Sequence, residues 1–455
     1  MQKRLGILIG LIIAYRFLAH IPVPLADPTE LKTIINNLIG NTDFGGFLNL
    51  LSGGALAQFS IILVGLSPFI TASIITQLLT KAIPKLEELH KDGESGRRKI
   101  NQWTRIVSVP LGIVQSIAMI YILRQSVLAG ATTGGSDMEL STWIVAVTAL
   151  SAGSILLMWL GELMTEQGIG NGISLLIFAG IISVLPDTLS TIISSLLNTD
   201  AGGLSVFGWF ELPVNPDTFW IVLGISGFGL AVLYALVKIN EAQRVITINY
   251  AKRVNSNSAY GGVKSILPVK LIAAGVIPVI FAVAFLSLPA FAGQVIKATG
   301  NTAYTGIADN LIKWFQQPDA SLYASGDLGA FIYPLAYFTL VILFTYFYTG
   351  IVFNSNEIAE SLQKQGGFIE GVRPGLQTEK YLKTMVTRLI LFGSVALGLI
   401  AVLPFIVEYV FVVFGVQATG LAIGGTGLLI VVTVGLETLR QLNSRALMVT
   451  YDDYK

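Results

Sequence analysis

Residues 47–80 read Phe47-Leu-Asn-Leu-Leu-Ser-Gly-Gly-Ala-Leu-Ala-Gln-Phe-Ser-Ile-Ile-Leu-Val-Gly-Leu-Ser67-Pro-Phe-Ile-Thr-Ala-Ser-Ile-Ile-Thr-Gln-Leu-Leu-Thr80. This apolar run is too long for one crossing, because a helix spans about 30 Å of hydrocarbon with roughly 20 residues. Gly53-Gly54 and Pro68 punctuate it. The pattern predicts a short half-helix over about 44–56, followed by a complete span over 59–79. A half-helix cannot cross the bilayer and is expected inside protein or at an interface.

The rest of the chain supports lipid as the solvent. Of 455 residues, 53% are hydrophobic and 12% are charged, and the mean hydropathy is +0.72. A soluble domain carries about 25% charged residues, so half that charge could not wet a surface of this size. There is no cysteine, which excludes disulfides, thiolate zinc sites and thiol catalysis. His20 and His90 are too few and too far apart for a metal cluster, and no GxxxxGK[ST] loop is present to bind ATP. The first apolar run continues into Ile21-Pro-Val-Pro24 without a small-residue cleavage site, so it reads as a retained span.

Ten apolar stretches have spanning length, with approximate cores at 5–22, 59–79, 104–123, 142–160, 169–185, 218–237, 271–292, 331–353, 385–405 and 422–439. The fifth begins Gly168-Ile-Gly-Asn-Gly172 and is expected to pack inside the bundle. With a cytoplasmic N-terminus, 23 of the 28 basic residues fall on the inside, in residues 3–4, 81–105, 238–270, 354–388 and the C-terminal tail. Lys32, Arg124, Lys297 and Lys313 fall outside, and Arg16 lies in the first span. That asymmetry places both termini in the cytoplasm. Dividing the chain at the outside loop 186–217 gives halves of five spans each, 1–200 and 201–455. An odd number of spans per half gives two similar halves opposite orientations, the inverted-repeat architecture.

Ionisable residues in the spans (Arg16, Glu162, Arg388 and Glu437) sit near span ends, where snorkelling or capping is the ordinary role. Span centres lack the midplane carboxylates usual in ion-coupled transporters. The polar signal lies in the inside loops instead. Val245-Ile-Thr-Ile-Asn-Tyr250 is β-branched with a period of two, predicting a hairpin within 238–270. The second loop, 354–384, carries Gly371-Val-Arg-Pro-Gly375, a turn presenting one arginine. A structured basic loop exceeds what topology requires and suits a partner with an acidic or phosphate surface.

Taken in order, several blocks resemble the SecY family of protein-secretion channels. They are His20-Ile-Pro-Val-Pro24, the Phe47 and Ser67 segments, Gly93-Glu-Ser-Gly-Arg-Arg-Lys-Ile-Asn-Gln-Trp-Thr-Arg105, Met158-Trp-Leu-Gly-Glu162, Gly168-Ile-Gly-Asn-Gly-Ile-Ser174, Asn249-Tyr-Ala-Lys-Arg253 and Gly371-Val-Arg-Pro-Gly375. The resemblance runs from about residue 3 to 440. It implies an all-α integral membrane protein of ten transmembrane helices in two inverted five-helix halves, with a plug half-helix and a cytoplasmic β-hairpin loop.

The resemblance also implies roles for individual residues. Leu66, Ile70, Ile173, Ile177, Ile280 and Ile430 match an apolar pore ring. Such a constriction dewets against ions yet parts around a polypeptide. Phe47, Leu48, Asn49, Leu50, Leu51, Ser52, Gly53, Gly54, Ala55 and Leu56 match the plug. The lateral gate is expected between spans two and three on one side and seven and eight on the other, lined by Ser73 and Gln77. Arg244, Lys252, Arg253 and Arg373 match the surface that docks a ribosome or a SecA-like motor ATPase. The hairpin tip departs from the pattern, with Asn257 and Ser258 where many relatives carry adjacent basic residues.

The expected function is a protein-conducting channel, not an enzyme, which passes unfolded polypeptides and releases hydrophobic segments sideways into lipid. No cofactor or metal is implied. SecE-like and SecG-like small membrane subunits are expected partners, and secretory and membrane proteins the substrates. The expected setting is a bacterial plasma membrane, with a thylakoid as the other option. The span count alone also permits an inverted-repeat secondary transporter of small solutes, and the loops alone a membrane scaffold.

Overall fold

The computed structural model describes residues 2–23, 54–55, 59–130, 140–168, 170–197, 204–206, 210–212, 215–250, 254–255, 258–259, 264–272, 275–298, 304–318, 320–413 and 425–452. Its principal helices are α1 (Gln2–Ala19), α2 (Ser67–Ala82), α4 (Glu94–Gly130), α5 (Leu140–Glu166), α6 (Gly172–Leu197), α7 (Pro216–Glu241), α8 (Ile277–Ala298), α11 (Ile332–Val352), α13 (Leu376–Val413) and α14 (Gly425–Asp452). Shorter helices are α3 (Pro84–Lys91), α9 (Thr305–Phe315), α10 (Ala320–Ala324) and α12 (Ser355–Lys364). Each principal helix falls on one of the ten predicted spans. Among the described residues, seven segments, on α4, α5, α6, α7, α8, α11 and α13, are long and apolar enough to cross a membrane by themselves. The predicted spans on α1, α2 and α14 are the remaining three. α1 carries three cations, α14 has a polar C-terminal half, and α2 has only 16 residues. At 1.5 Å per residue α2 is about 24 Å long, shorter than the hydrocarbon core.

α2 is short because its predicted span begins with turns. Residues 61–66 are turns, and Gly65 takes φ +63° just before the helix starts. Pro68 then opens α2 with its φ already helical and no N–H to satisfy. The irregular backbone is paired inside the protein, as membrane depth demands. Val23 N–H donates to the Phe59 carbonyl at 2.9 Å, Ile61 N–H to the Ile21 carbonyl at 3.0 Å, and Ser60 Oγ to the Leu18 carbonyl at 2.7 Å. The seventh predicted span behaves the same way. Gly275 also has φ +63°, and α8 begins at Ile277 instead of near 271.

Packing repeats between the two sets of five helices. In the first set α1 touches α5 and α6, α2 touches α4, α4 touches α5, and α5 touches α6. In the second set α7 touches α13 and α14, α8 touches α11, α11 touches α13, and α13 touches α14. Replacing α1, α2, α4, α5 and α6 by α7, α8, α11, α13 and α14 converts one list into the other. Close backbone approaches repeat as well. A Cβ on Gly153 of α5 would lie 2.0 Å from the Ile61 carbonyl oxygen, and one on Gly393 of α13 would lie 2.4 Å from that of Leu271. In each set a glycine therefore admits the turn that precedes the short helix.

Two other expectations change in detail. α6 is buried over its first three turns but exposes Ile182, Leu189 and Ile193 farther along, so only its N-terminal part is interior. The helix also continues through Pro186 to Leu197, into the predicted outside loop. That loop holds a small hairpin, β1 (Leu204–Val206) with β2 (Phe210–Leu212).

Both close approaches involve backbone atoms, which cannot swing aside as a side chain can. Gly153→Leu and Gly393→Leu are each expected to lower the melting temperature in detergent by the cost of overpacking, about 1–3 kcal/mol or more. Gly224→Leu, at a glycine of α7 with nothing within 4 Å, leaves it unchanged.

Candidate functional site: an apolar seal between two half-bundles

The two sets of five meet at two seams. At one, α8 packs against α2 and α4; at the other, α6 packs against α14 and α7. The six predicted ring residues all lie in or against the large buried core shared by the two sets. Leu66, Ile70, Ile177, Ile280 and Ile430 belong to one buried cluster, with Ile173 half-buried against it. Ile70 N–H donates to the Leu66 carbonyl at 3.0 Å, so the pair sits one turn apart at the start of α2. Four helices contribute, α2 and α8 from one pair of equivalents and α6 and α14 from the other.

The sequence contains a signal for this arrangement that the reading of separate blocks did not use. Gly65-Leu-Ser-Pro-Phe-Ile70 aligns with Gly275-Val-Ile-Pro-Val-Ile280, and Gly172-Ile-Ser-Leu-Leu-Ile177 with Gly425-Thr-Gly-Leu-Leu-Ile430. Ile70 thus corresponds to Ile280, and Ile177 to Ile430. The partner of Leu66 is Val276, which is buried in the same cluster and was absent from the predicted ring.

Of the ten predicted plug residues, Gly54 and Ala55 are described, and the other eight lie outside the described residues. The pair forms a turn, and Ala55 is fully buried in the seal cluster. Its carbonyl accepts from Ser60 N–H at 3.0 Å, and Gly54 approaches Val184 of α6.

At the α2/α8 seam, Gln77 Nε2 donates to Ser73 Oγ at 3.1 Å within α2. Gln77 Oε1 is buried without a hydrogen-bond partner, as is Thr71 Oγ1 on the same helix. The opposing wall is firmer. Phe281 and Phe285 of α8 meet Phe344 and Tyr348 of α11 edge-on, with ring centroids 6.0–6.2 Å apart. Such pairs add about 0.5–1.5 kcal/mol each beyond area burial, so α8 and α11 form one slab. On the other side α4 and α5 are joined by Arg105 Nε and Glu162 Oε1 at 2.5 Å, and by Ser151 Oγ donating to Ser116 Oγ at 3.2 Å. Glu162 is therefore ion-paired across two helices instead of snorkelling alone.

The C-terminal half of α14 makes polar contacts both within its own set and across the second seam. Arg440 donates to the Asn240 side-chain and main-chain oxygens on α7 at 3.4 and 3.3 Å. Gln441 Oε1 accepts from Gly170 N–H at 2.5 Å, and Arg445 Nη1 donates to the Gln167 carbonyl at 3.4 Å, both in the turn between α5 and α6. One helix thereby ties the ends of both sets together.

The predicted hairpin forms as β3 (Gln243–Tyr250) antiparallel to β6 (Lys264–Lys270), with a small β4/β5 pair (Val254–Asn255 and Ser258–Ala259) in its distal part. The sequence did not reveal that β7 (Gly367–Ile369), from the second loop, pairs with the other edge of β3. Ile246, Val269 and Ile369 bury one face of this sheet on Leu382, Val386 and Ile390 of α13. Arg244 and Arg373 are exposed, and Lys252 and Arg253 lie outside the described residues. Thr378 Oγ1 donates to the Arg373 carbonyl at 2.9 Å, fixing the turn that presents the arginine.

Ten principal helices in two matching sets, seven of them long and apolar enough to cross a membrane among the described residues, define a multi-pass membrane protein. Residues 60–439 match the family model described as SecY. The chain is 38% identical over 459 residues to a protein translocase subunit SecY of Streptomyces galbus, covering 100% of this chain and 97% of that one. It is 37% identical to the protein of the same name from Corynebacterium glutamicum, covering 99% and 96%. The chain belongs to the SecY family. Its fold matches a solved structure described as a protein conducting channel, with TM-score 0.62 and 19% identity over 97% of this chain and 91% of that one. It also matches Sec61 from a canine ribosome-channel complex of the endoplasmic reticulum, with TM-score 0.57 and 18% identity over 97% and 91%.

A buried carbonyl without a donor costs about 1–3 kcal/mol, and the Gln77–Ser73 bond returns about 1 kcal/mol at most. Gln77→Leu is therefore expected to raise the melting temperature in detergent. A fall would show that Gln77 Oε1 is satisfied in the native protein.

Proposed function

We infer that this chain is the protein-conducting channel of a translocon, with the aliphatic cluster as its seal and no chemistry of its own. The observation that carries the reading is the convergence of Leu66, Ile70, Ile173, Ile177, Ile280 and Ile430 from both sets of helices onto one site. A pore lined there by branched aliphatic side chains excludes water and ions at rest. The same side chains change rotamer cheaply and can close around an extended polypeptide whatever its sequence. Val276 joins the ring as the counterpart of Leu66. The segment 47–56 would support the seal from the outer side, which fits the burial of Ala55 in the cluster.

The weakly satisfied polar groups of α2 face the sets' first seam, which makes that seam the better candidate for the lateral gate. α8 and α11 would move away from α2 and α4 as two slabs, exposing a slot through which a hydrophobic segment partitions into lipid. The α14 contacts with Gln167 and Gly170 support the second seam as the hinge. α1 and α7 carry exposed small residues at four-residue spacing, Gly6, Gly10 and Gly227, Ala231. Small residues let a partner helix approach closely, which suits a SecE-like subunit clamping the two halves; a SecG-like subunit is the other expected membrane partner. The three-stranded sheet, with Arg244 and Arg373 exposed, is the candidate dock for a ribosome or a SecA-like motor, the source of driving force. Both termini would lie in the cytoplasm of a cell whose plasma membrane houses the protein.

Two experiments test this reading. A photoreactive probe at Ile173 is expected to crosslink a stalled secretory chain engaged at the membrane, and Ile70→Asn with Ile280→Asn is expected to raise resting ion conductance in planar bilayers. No crosslink to an engaged chain, together with wild-type conductance, would return the protein to the transporter or scaffold classes. Separately, Arg373→Glu is expected to impair motor- or ribosome-dependent translocation while membrane insertion of the channel stays normal. Unaltered transport by that variant would remove Arg373 from the docking surface.

A further inference from the structure

The segment between α8 and α11 contains a helix whose surface is not accounted for by the channel. α9 is amphipathic, and its apolar arc is wider than the face it packs. At about 100° per residue, Ala308, Ile312 and Phe315 share one arc, and Tyr304, Ile307, Leu311 and Trp314 share the arc beside it. The first arc lies on α8. Ala308 is fully buried, Phe315 packs on the central cluster, and a Cβ on Gly293 of α8 would lie 3.0 Å from the Ala308 carbonyl oxygen. The second arc is bare except at Leu311, which is half-buried and meets Gly293 of α8 beside Ala308 and Ile312. Tyr304 is 54%, Ile307 56% and Trp314 41% exposed. The remaining arc carries Gly306, Asp309, Asn310 and Lys313, all exposed.

The helix is held firmly in this orientation. Lys297 at the end of α8 pairs with Asp309 at 2.9 Å, and Lys313 pairs with Asp327. The hydrogen bond from Lys313, followed by that from Gly329 N–H, holds the Asp327 carboxyl below its usual range. Two ion pairs and a packed face thus prevent α9 from turning its bare arc inward.

We propose that α9 lies in the outer interfacial layer of the bilayer, its exposed Tyr304, Ile307 and Trp314 immersed in lipid and its Asp309–Lys313 arc in water. A helix with one apolar side on protein, one apolar side bare and a charged third side fits a plane where protein, acyl chains and water meet. Tyrosine and tryptophan at the two ends of the bare arc are the side chains that favour this depth. Continuity points to lipid instead of a protein partner. The 3-10 turn Leu328–Phe331 and α11, both in contact with α9, also expose Leu328, Phe331 and Leu335, extending the apolar band onto a membrane-spanning helix. The outer leaflet follows from the charge asymmetry, which places Lys297 and Lys313 outside. Because α9 and α8 pack as one unit, the helix fixes the depth of the outer end of α8 and makes any motion of α8 a slide along the interface.

The inference requires only that the chain spans a membrane, so its test is separate from that of the channel. The chain has no cysteine, which allows single nitroxide labels at positions 306, 307, 310, 311 and 314. The labelled full-length protein would be reconstituted in vesicles of phosphatidylethanolamine with a minority of phosphatidylglycerol. Power saturation with oxygen and with a water-soluble nickel chelate then reports depth. Labels at Ile307 and Trp314 are expected to favour oxygen and lie about 5–10 Å into the headgroup and acyl boundary, that at Leu311 to be shielded by α8, and those at Gly306 and Asn310 to favour nickel. Nickel access at all five positions would put the arc in water, and low access to both reagents at 307 and 314 would put it against protein; either overturns the proposal. Bromolipid quenching reports the same face without a label. The natural protein is expected to show a quenched component that Trp314→Phe lacks, and equal quenching of the two would also overturn the proposal.

Discussion

Within hydrocarbon no water is available to hydrogen-bond the backbone, so every irregular stretch of this chain must be paired by protein. That constraint accounts for the most unusual parts of the architecture. The turns that precede α2 and α8 lie where a simple bundle would have continuous helix. They persist because a neighbouring helix, α5 or α13, offers a glycine over which the backbone can pass. Ahead of α2 the chain at Ile21–Val23 supplies an antiparallel bridge and three hydrogen bonds close the accounts of the main chain. A short helix that begins near mid-membrane is the result, and its first residues are delivered to the centre of the protein instead of to a surface.

Because this happens once in each set, the centre receives two helix starts, Leu66 to Ile70 and Val276 to Ile280. α6 and α14 bring Ile177 and Ile430 to the same place. Equivalent side chains from the two sets therefore share one buried core. The two seams then differ in chemistry. One includes α2, which carries buried oxygens without donors, and α8, which is locked to α11 by aromatic contacts. The other is crossed by the Gln441 and Arg445 contacts of α14 to the turn between α5 and α6, while Arg440 ties α14 to α7 within the second set. A molecule that is firm at one seam and poorly satisfied at the other is predisposed to hinge.

The three-stranded sheet makes one platform of two loops. β3 and β6 alone would be a two-stranded ribbon, which is marginal in water. Adding β7 and burying Ile246, Val269 and Ile369 on α13 supplies the hydrophobic face such a ribbon lacks. Arg244 and Arg373, more than a hundred residues apart in sequence, thus stand on a single structured surface.

Much of this was legible in the amino-acid sequence. Hydropathy located all ten principal helices, because apolar length is a local property that lipid selects directly. The basic loops predicted an orientation, and the alternation at Val245–Tyr250 marked a strand. The ring residues came from matched motifs, and Gly65-Leu-Ser-Pro-Phe-Ile70 repeated as Gly275-Val-Ile-Pro-Val-Ile280 would have linked the halves and supplied Val276. Other features were decided only by tertiary structure. Hydropathy does not distinguish a helix from a turn when both are apolar, so the late starts of α2 and α8 were invisible. Strand β7 is three residues long and carries no period of its own; it becomes a strand because β3 has a free edge beside it. Gly153 and Gly393 look like any span glycine until a backbone carbonyl is placed against them. Sequence determined which segments enter the membrane, through the free energy of transferring each one to lipid, whereas contact between segments far apart in the chain decided where helices begin and which isoleucines meet.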